Sequence, residues 1–319
     1  MSPLPALDGA ASDRDRDDAL VAVLDWLKAD GYRFVTPTPW THGFVRDRTA
    51  ARSETVVRDV LGWCRPFEAG QMPGELFDLL SASGVLDTGD QGLVSTVRVS
   101  TVDGRLHAHS APTRSPDAVF LGPDSYRYAR FLRQVLDASP HFERGLDIGV
   151  GAGVGALVLL GARPMAEVTG SDVNPQALRL SSLNARHAGL GLRTVLASGV
   201  PAGEDDYDLI IANPPFIAGD GGRTYRDGGD MHGAALALDW ARAALDRLSP
   251  GGRFVLYTGA PIVEGGDIVR DTLGALARER GMDLSYDEID PDIFSRTLRQ
   301  EAYADVERIA AIGAVVTAP

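Results

Sequence analysis

The chain has 319 residues, enough for two domains and for burial of roughly 75% of the surface that the unfolded chain would expose. Hydrophobic residues make up 44% and charged residues 24%, ordinary for a globular protein, and no apolar run approaches the ~20 residues of a membrane span. A formal net charge of −13 works against a broad nucleic-acid footprint and fits a small molecule or a basic protein as substrate. Cys64 is the single cysteine, which excludes an internal disulfide and points to a cytoplasmic setting. Lys28 is the single lysine, and the abundance of arginine reflects GC-rich bacterial coding.

Met1 to Asp18 is rich in Pro, Ala and Asp and lacks the apolar stretch of a signal peptide; residues 1–15 are expected to be a disordered lead. Asp17 to Asp30 carries Leu20, Leu24 and Leu27 at helical spacing, with Gly31 as a stop. Further helices are expected over Ser53 to Leu61 and over Gly74 to Ser83, closed by Gly84. Leu93–Val99 and Arg105–His109 flank Val102-Asp103-Gly104, a hairpin signal. His107 and His109 alternate on the second strand and read as exposed hairpin residues, not metal ligands. Residues 16–115 thus form a helical and winged-helix-like cap domain, with Trp26, Trp40 and Trp63 in its core or at its interface. Ala111 to Pro116 reads as a linker.

From residue 116 to 319 strands and helices alternate. Strands are expected near 144–148, 166–171, 192–197, 207–212, 253–258, 283–288 and 308–316, and helices near 124–138, 153–161, 175–188, 233–248 and 268–280. This is the pattern of an α/β fold: a Rossmann-like, seven-stranded, mostly parallel sheet. Asp124 or Ser125 is expected to cap the first of these helices.

Two places in this domain carry chemistry. Gly145-Leu146-Asp147-Ile148-Gly149-Val150-Gly151-Ala152-Gly153 runs from a strand through a glycine-rich turn to a helix N-terminus, where free N–H groups meet a ligand. Gly151-x-Gly153-x-x-Ala156 also satisfies a dinucleotide fingerprint. Asp147 would repel a pyrophosphate but accept from an α-ammonium group, which favours S-adenosylmethionine over NAD or FAD. Asp172 ends the next strand, about twenty residues on, where an acid binds ribose hydroxyls. The second place is Asn213-Pro214-Pro215-Phe216. Two prolines stop the strand Tyr207–Ala212 and leave a stiff turn at its carboxyl end, facing the ligand crevice.

The order Asp-x-Gly-x-Gly-x-Gly, then Asp172, then Asn-Pro-Pro-Phe resembles the class I S-adenosylmethionine-dependent methyltransferases, and among them the Asn-Pro-Pro-Tyr/Phe group. That group includes release-factor glutamine methyltransferases and small-domain RNA N-methyltransferases. Tyr225 to Gly233 and Leu248-Ser249-Pro250-Gly251-Gly252-Arg253 match further segments of the group. The first 115 residues and the tail from Asp290 to Ile309 resemble a set of actinobacterial members, and the N-terminal part differs from the helical bundle of the release-factor enzymes.

The resemblance implies that Asp147, Gly149, Gly151, Gly153, Asp172, Ser198 and Asn213 hold the cofactor, with Ser198 in the place of an adenine-reading acid. It implies that Asn213 and the Pro214 carbonyl accept from the acceptor N–H while Pro215 stiffens the turn and Phe216 stacks on the acceptor. Tyr225 and Arg226 are expected to line the substrate mouth, and His232, with Asp230 nearby, to relay a proton or cap a helix. The reading taken is N-methylation of a planar amide or amine nitrogen on a small molecule of secondary metabolism. A protein glutamine or an RNA base is the alternative acceptor. A non-methylating reaction of the same cofactor (aminocarboxypropyl transfer or cyclisation), nucleotide binding without catalysis, and NAD(P) oxidoreduction stay open.

Overall fold

Ser12 caps the first helix: its Oγ accepts from Asp15 N–H while the Asp15 carboxylate accepts from the Ser12 N–H. Helix α1 therefore runs over Asp13–Ala29 and draws residues 12–15 into ordered structure, against the expected lead. The computed structural model describes residues 12–48, 56–113, 115–138, 141–203, 206–216 and 231–319. The chain divides into two compact units, one of residues up to Thr101 with Ala108–Pro112, the other of Val102–His107 with Thr113–Pro319.

In the first unit α1 buries Leu20, Val23, Leu24 and Leu27 and packs on α4 (Gly74–Ala82). Helix α2 (Pro39–Arg48) was not signalled by any apolar repeat; Pro39 sits at its first position, where a missing N–H costs nothing. Helix α3 covers Val56–Leu61, and the earlier part of the expected helix lies outside the described residues. The expected strand Leu93–Val99 is two strands with different partners. Strand β2 (Gly92–Ser95) pairs antiparallel with β1 (Leu86–Gly89), whereas β3 (Val97–Val102) pairs with β4 (Arg105–Ser110). The break comes at Ser95, whose hydroxyl accepts from Val97 N–H and donates to Val97 O, replacing ladder bonds locally. Asp103 and Gly104 have φ of 50° and 74°, the left-handed pair of a two-residue hairpin turn. His107 and His109 are each 1% exposed, so the expectation of exposed hairpin histidines is wrong. Both faces of this hairpin are covered. Trp40 is 54% exposed and is not a core residue; Trp26 and Trp63 are half-buried.

In the second unit the sheet order is β11-β12-β9-β8-β5-β6-β7. The strands are β5 (Arg144–Ile148), β6 (Glu167–Asp172), β7 (Leu192–Leu196), β8 (Tyr207–Ala212), β9 (Leu248–Val263), β11 (Asp283–Asp290) and β12 (Arg308–Thr317). A two-residue strand, β10 (Gly266–Asp267), adds to β9 and makes the sheet eight-stranded. Strands β7, β6, β5, β8 and β9 are mutually parallel; β12 runs antiparallel between β9 and β11. Within β9 the β8 partner passes from Leu248 to Arg253, so Ser249–Gly252 interrupt the ladder, with Gly251 at φ 72°.

Helices α5 (Pro123–Ala138), α6 (Val154–Ala162), α7 (Pro175–His187), α8 (Ala235–Leu245) and α9 (Ile268–Glu279) connect the strands. Leu146, Ile148, Ile210, Ala212, Phe254 and Leu256 face α8 and α9 across one core. Helix α6 is apolar on every side and buries all residues from Val154 to Leu160. Asp124 does not cap α5: it lies in its first turn, buried, and accepts from the Tyr257 hydroxyl at 3.2 Å. No helix among the described residues is long and apolar enough to cross a membrane.

Candidate active site

Strand β5 lies between β6 and β8, with Ile148 opposite both Ser171 and Ala212. The next residue on each strand is Gly149, Asp172 and Asn213. The glycine loop, the ribose-binding candidate and the proline turn therefore share the carboxyl edge of the sheet, where an open α/β sheet binds ligands.

The loop Gly149–Gly153 is held from three sides. Gly149 and Val150 N–H groups donate to Ser171 O at 2.8 and 2.9 Å, and Gly151 N–H donates to Asp172 Oδ2 at 3.0 Å. Ala152 O accepts from Asn184 Nδ2 at 3.0 Å and from His107 Nδ1 at 3.3 Å. Burial lowers the His107 pKa to about 4, so the ring is neutral at pH 7 and its Nδ1 carries the donated proton. Gly153, at φ 79°, is the N-cap of α6 and lets the chain enter that helix without a Cβ clash against Ser181. A Cβ on Gly155 would stand 2.7 Å from Asp147 Oδ2, so the first turn of α6 rests directly on that carboxylate.

Asp147 is 2% exposed and accepts from Ala156 N–H at 2.8 Å through Oδ2. Burial raises its pKa to about 7, with the negative charge of Asp172 pushing the same way. The Tyr128 hydroxyl stands beside this carboxylate without a well-formed hydrogen bond. Asp172 is half-buried; Oδ1 accepts from Asn174 N–H at 2.9 Å, and burial raises its pKa. Each carboxylate retains lone pairs for a ligand.

Asn213 follows β8. Its Oδ1 is fully buried and has no hydrogen-bond partner among the described residues. Buried acceptors are nearly always paired, so this one is an exception that a ligand N–H would remove. Pro214 is buried and Pro215 half-buried. The Phe216 ring packs edge-on against Phe294 at 5.5 Å and covers Gly259, where a Cβ would fall 2.6 Å from it. Ser198 is exposed just beyond β7, beside Ala197, whose N–H donates to Asp172 O at 3.0 Å.

Tyr225, Arg226 and Asp230 lie outside the described residues. His232 is described: Nε2 is 2.9 Å from Asp305 Oδ1 and the ring lies beside Tyr303, so it engages the C-terminal tail. It precedes α8 in a left-handed conformation with φ 56°.

Sequence reasoning missed several neighbours of the site. Val173 and Leu196 are exposed apolar residues at the ends of adjacent strands and flank Asp172, which pairs with Leu196 in register. Trp240 lies against Gly149 and Gly199. No motif marked them; the expectation that an adenine ring needs two apolar faces is the one signal that applies. An acid for ribose hydroxyls, apolar side chains for a flat base and a carboxylate for an ammonium all line one edge. These residues fit S-adenosylmethionine.

Residues 116–259 match the family model of the methyltransferase small domain. Through those residues the chain is similar to class I S-adenosylmethionine-dependent methyltransferases. The release factor glutamine methyltransferase of Deinococcus radiodurans is 34% identical over 160 residues, 48% of this chain and 55% of the relative. The ribosomal RNA small subunit methyltransferase C of Shewanella piezotolerans is 35% identical over 109 residues, 34% of this chain and 29% of the relative. The chain spans about half the length of the first release-factor relatives it matches. The solved structure of Trm5b from Pyrococcus abyssi superposes with a TM-score of 0.50 at 14% identity, over 85% of this chain and 79% of that one, a likeness of fold alone. These relatives bear on the methyltransferase part and not on the actinobacterial likeness of the two ends.

Proposed function

We propose that this chain methylates a planar amide nitrogen on a protein side chain, a glutamine being the simplest such group. The relatives support a macromolecular acceptor: they are named for a protein glutamine and for RNA, and none of those reported above for a small molecule. The expectation of a small molecule from secondary metabolism is therefore set aside. The net charge of −13 favours a protein over RNA.

One observation carries the reading: the buried, unpartnered Oδ1 of Asn213 beside the glycine loop. An amide nitrogen is a poor nucleophile because its lone pair is delocalised. An N–H bonded to Asn213 Oδ1, with a second to the Pro214 carbonyl, draws density back to nitrogen and aims it. S-adenosylmethionine supplies, when bound, an electrophilic methyl group on a sulfonium. Asn213 and the rigid prolines hold the nitrogen in line, and such orientation supplies about 7–11 kcal/mol of barrier lowering. Phe216, backed by Phe294, offers an aromatic wall to the planar amide. The nitrogen forms its bond to carbon as the carbon–sulfur bond breaks, and the surplus proton passes to water.

The test is methyl incorporation from labelled S-adenosylmethionine into host protein and host RNA treated with the full chain. Label on a glutamine-containing peptide, with the added mass of one CH2, supports the proposal. Label confined to RNA, or the absence of S-adenosylhomocysteine with either, overturns it.

A further inference from the structure

Arg98, on β3 in the first unit, is 5% exposed. Its Nε and Nη2 are both buried and have no hydrogen-bond partner among the described residues. Those two nitrogens form one edge of the guanidinium, the edge that presents parallel N–H groups to two oxygens of a carboxylate or phosphate. A buried cation without a counter-charge is heavily penalised. Its surroundings add positive charge. Arg58 and Arg98 lie 5.3 and 5.9 Å from the centre of the Phe34 ring. His42 is buried next to Arg98, Arg46 and Arg65, and burial and these cations hold its pKa down. Asp59 lies 3.8 Å from Arg65.

On the same face of β3, two residues on, Ser100 Oγ lies 2.5 Å from Thr36 Oγ1 and 2.9 Å from His109 Nε2. Trp63, Cys64 and Arg65 are half-buried at the rim of this corner. In a chain of net charge −13, one buried guanidinium beside the Cys64 thiol, with its Nε–Nη2 edge free of hydrogen bonds among the described residues and with exposed Arg46 and Arg58 and half-buried Arg65 around it, is a built site for negative charge.

We propose that the first unit binds a single oxyanion, a carboxylate or phosphate group, on the Nε–Nη2 edge of Arg98. The site is built from residues of the first unit and does not rest on the assignment of the acceptor.

The experiment uses the full chain labelled with nitrogen-15 in arginine, titrated with sodium acetate, sodium phosphate and, at matched ionic strength, sodium chloride. The Arg98 Nε–H signal is assigned by its loss in Arg98→Lys. A saturable shift of that signal in acetate or phosphate, absent in chloride, is expected, with a parallel rise in melting temperature. Arg98→Lys keeps the charge without the fork and should weaken binding at least about tenfold, and Arg98→Met should abolish the rise in melting temperature. Tighter binding of phosphate assigns a phosphorylated ligand and tighter binding of acetate a carboxylate ligand; both support the site. No saturable shift in either salt, an equal shift in chloride, or an undiminished rise in Arg98→Met overturns it. If the variants do not fold, the wild-type titration of buried Nε–H signals decides alone.

Discussion

Asp147 is held at a pKa of about 7 by burial, against 3.8 for an ordinary aspartate. A carboxylate raised in the folded state binds a proton there at pH values where the unfolded chain has lost it. Stability therefore falls as pH rises from about 4 to about 7: the cost of the buried charge is absent below the unfolded value and fully present above the folded one. An ammonium placed beside Asp147 reverses the burial effect, so cofactor binding near pH 6 should release close to one proton. Calorimetry in two buffers of different ionisation enthalpy measures it, with Asp147→Asn, which keeps the acceptor for Ala156, as the reference. Equal proton release by both proteins would remove Asp147 from the ammonium site. The place of Asp147 beside the glycine loop was legible from its position before the glycines. Its bond to Ala156 was not, because α6 folds back onto the strand that precedes it and only the three-dimensional turn brings the two together. Asn213 was legible from the two prolines after it, which fix where a strand must end. Val173, Leu196 and Trp240 were not, because an apolar residue in a strand end or helix reads the same whether it packs in a core or against a ligand.

The β3–β4 hairpin shows what sequence reading of an element conveys and what it misses. The Asp-Gly turn was correctly placed. The burial of both faces was not, since a run such as Arg-Leu-His-Ala-His alternates as an exposed strand does. His107 consequently has a role in the glycine loop through Ala152 O. His107→Ala removes one hydrogen bond, worth about 1 kcal/mol, and leaves the one from Asn184. The dissociation constant for S-adenosylmethionine should rise by roughly fivefold, read by calorimetry; an unchanged constant would show that Ala152 needs no second donor. The βα alternation of the second unit was legible because strands such as β5 and β8 are short, largely apolar runs closed by glycine or asparagine, whereas the two-residue β10 carries no such signal. Helix α2 was hidden by its own composition, with two prolines and a glycine within and around it and no apolar repeat.

At the scale of the whole molecule, the family model matches residues 116–259 and does not extend into the first unit. Its short elements carry few periodic residues, so neither pattern nor motif announces what it binds. Charge gives a global prediction. If the acceptor is a protein, the Michaelis constant should rise only modestly between low and physiological salt, as screening weakens attraction between opposite charges. An RNA acceptor would release counterions and show a steep fall in affinity over that range. Initial rates at several salt concentrations separate the two, and a steep slope would contradict the proposed protein acceptor.

The central claim is that Asn213 orients the acceptor nitrogen and is not needed to hold the cofactor. The most direct measurement compares Asn213→Ala with the wild type for S-adenosylmethionine affinity by calorimetry and for turnover with the labelled acceptor. Affinity is expected to stay within about twofold and turnover to fall by about 10²–10³, the usual cost of losing one preorganised hydrogen bond in an active site. Turnover equal to wild type, or a loss explained wholly by weaker cofactor binding, would contradict it.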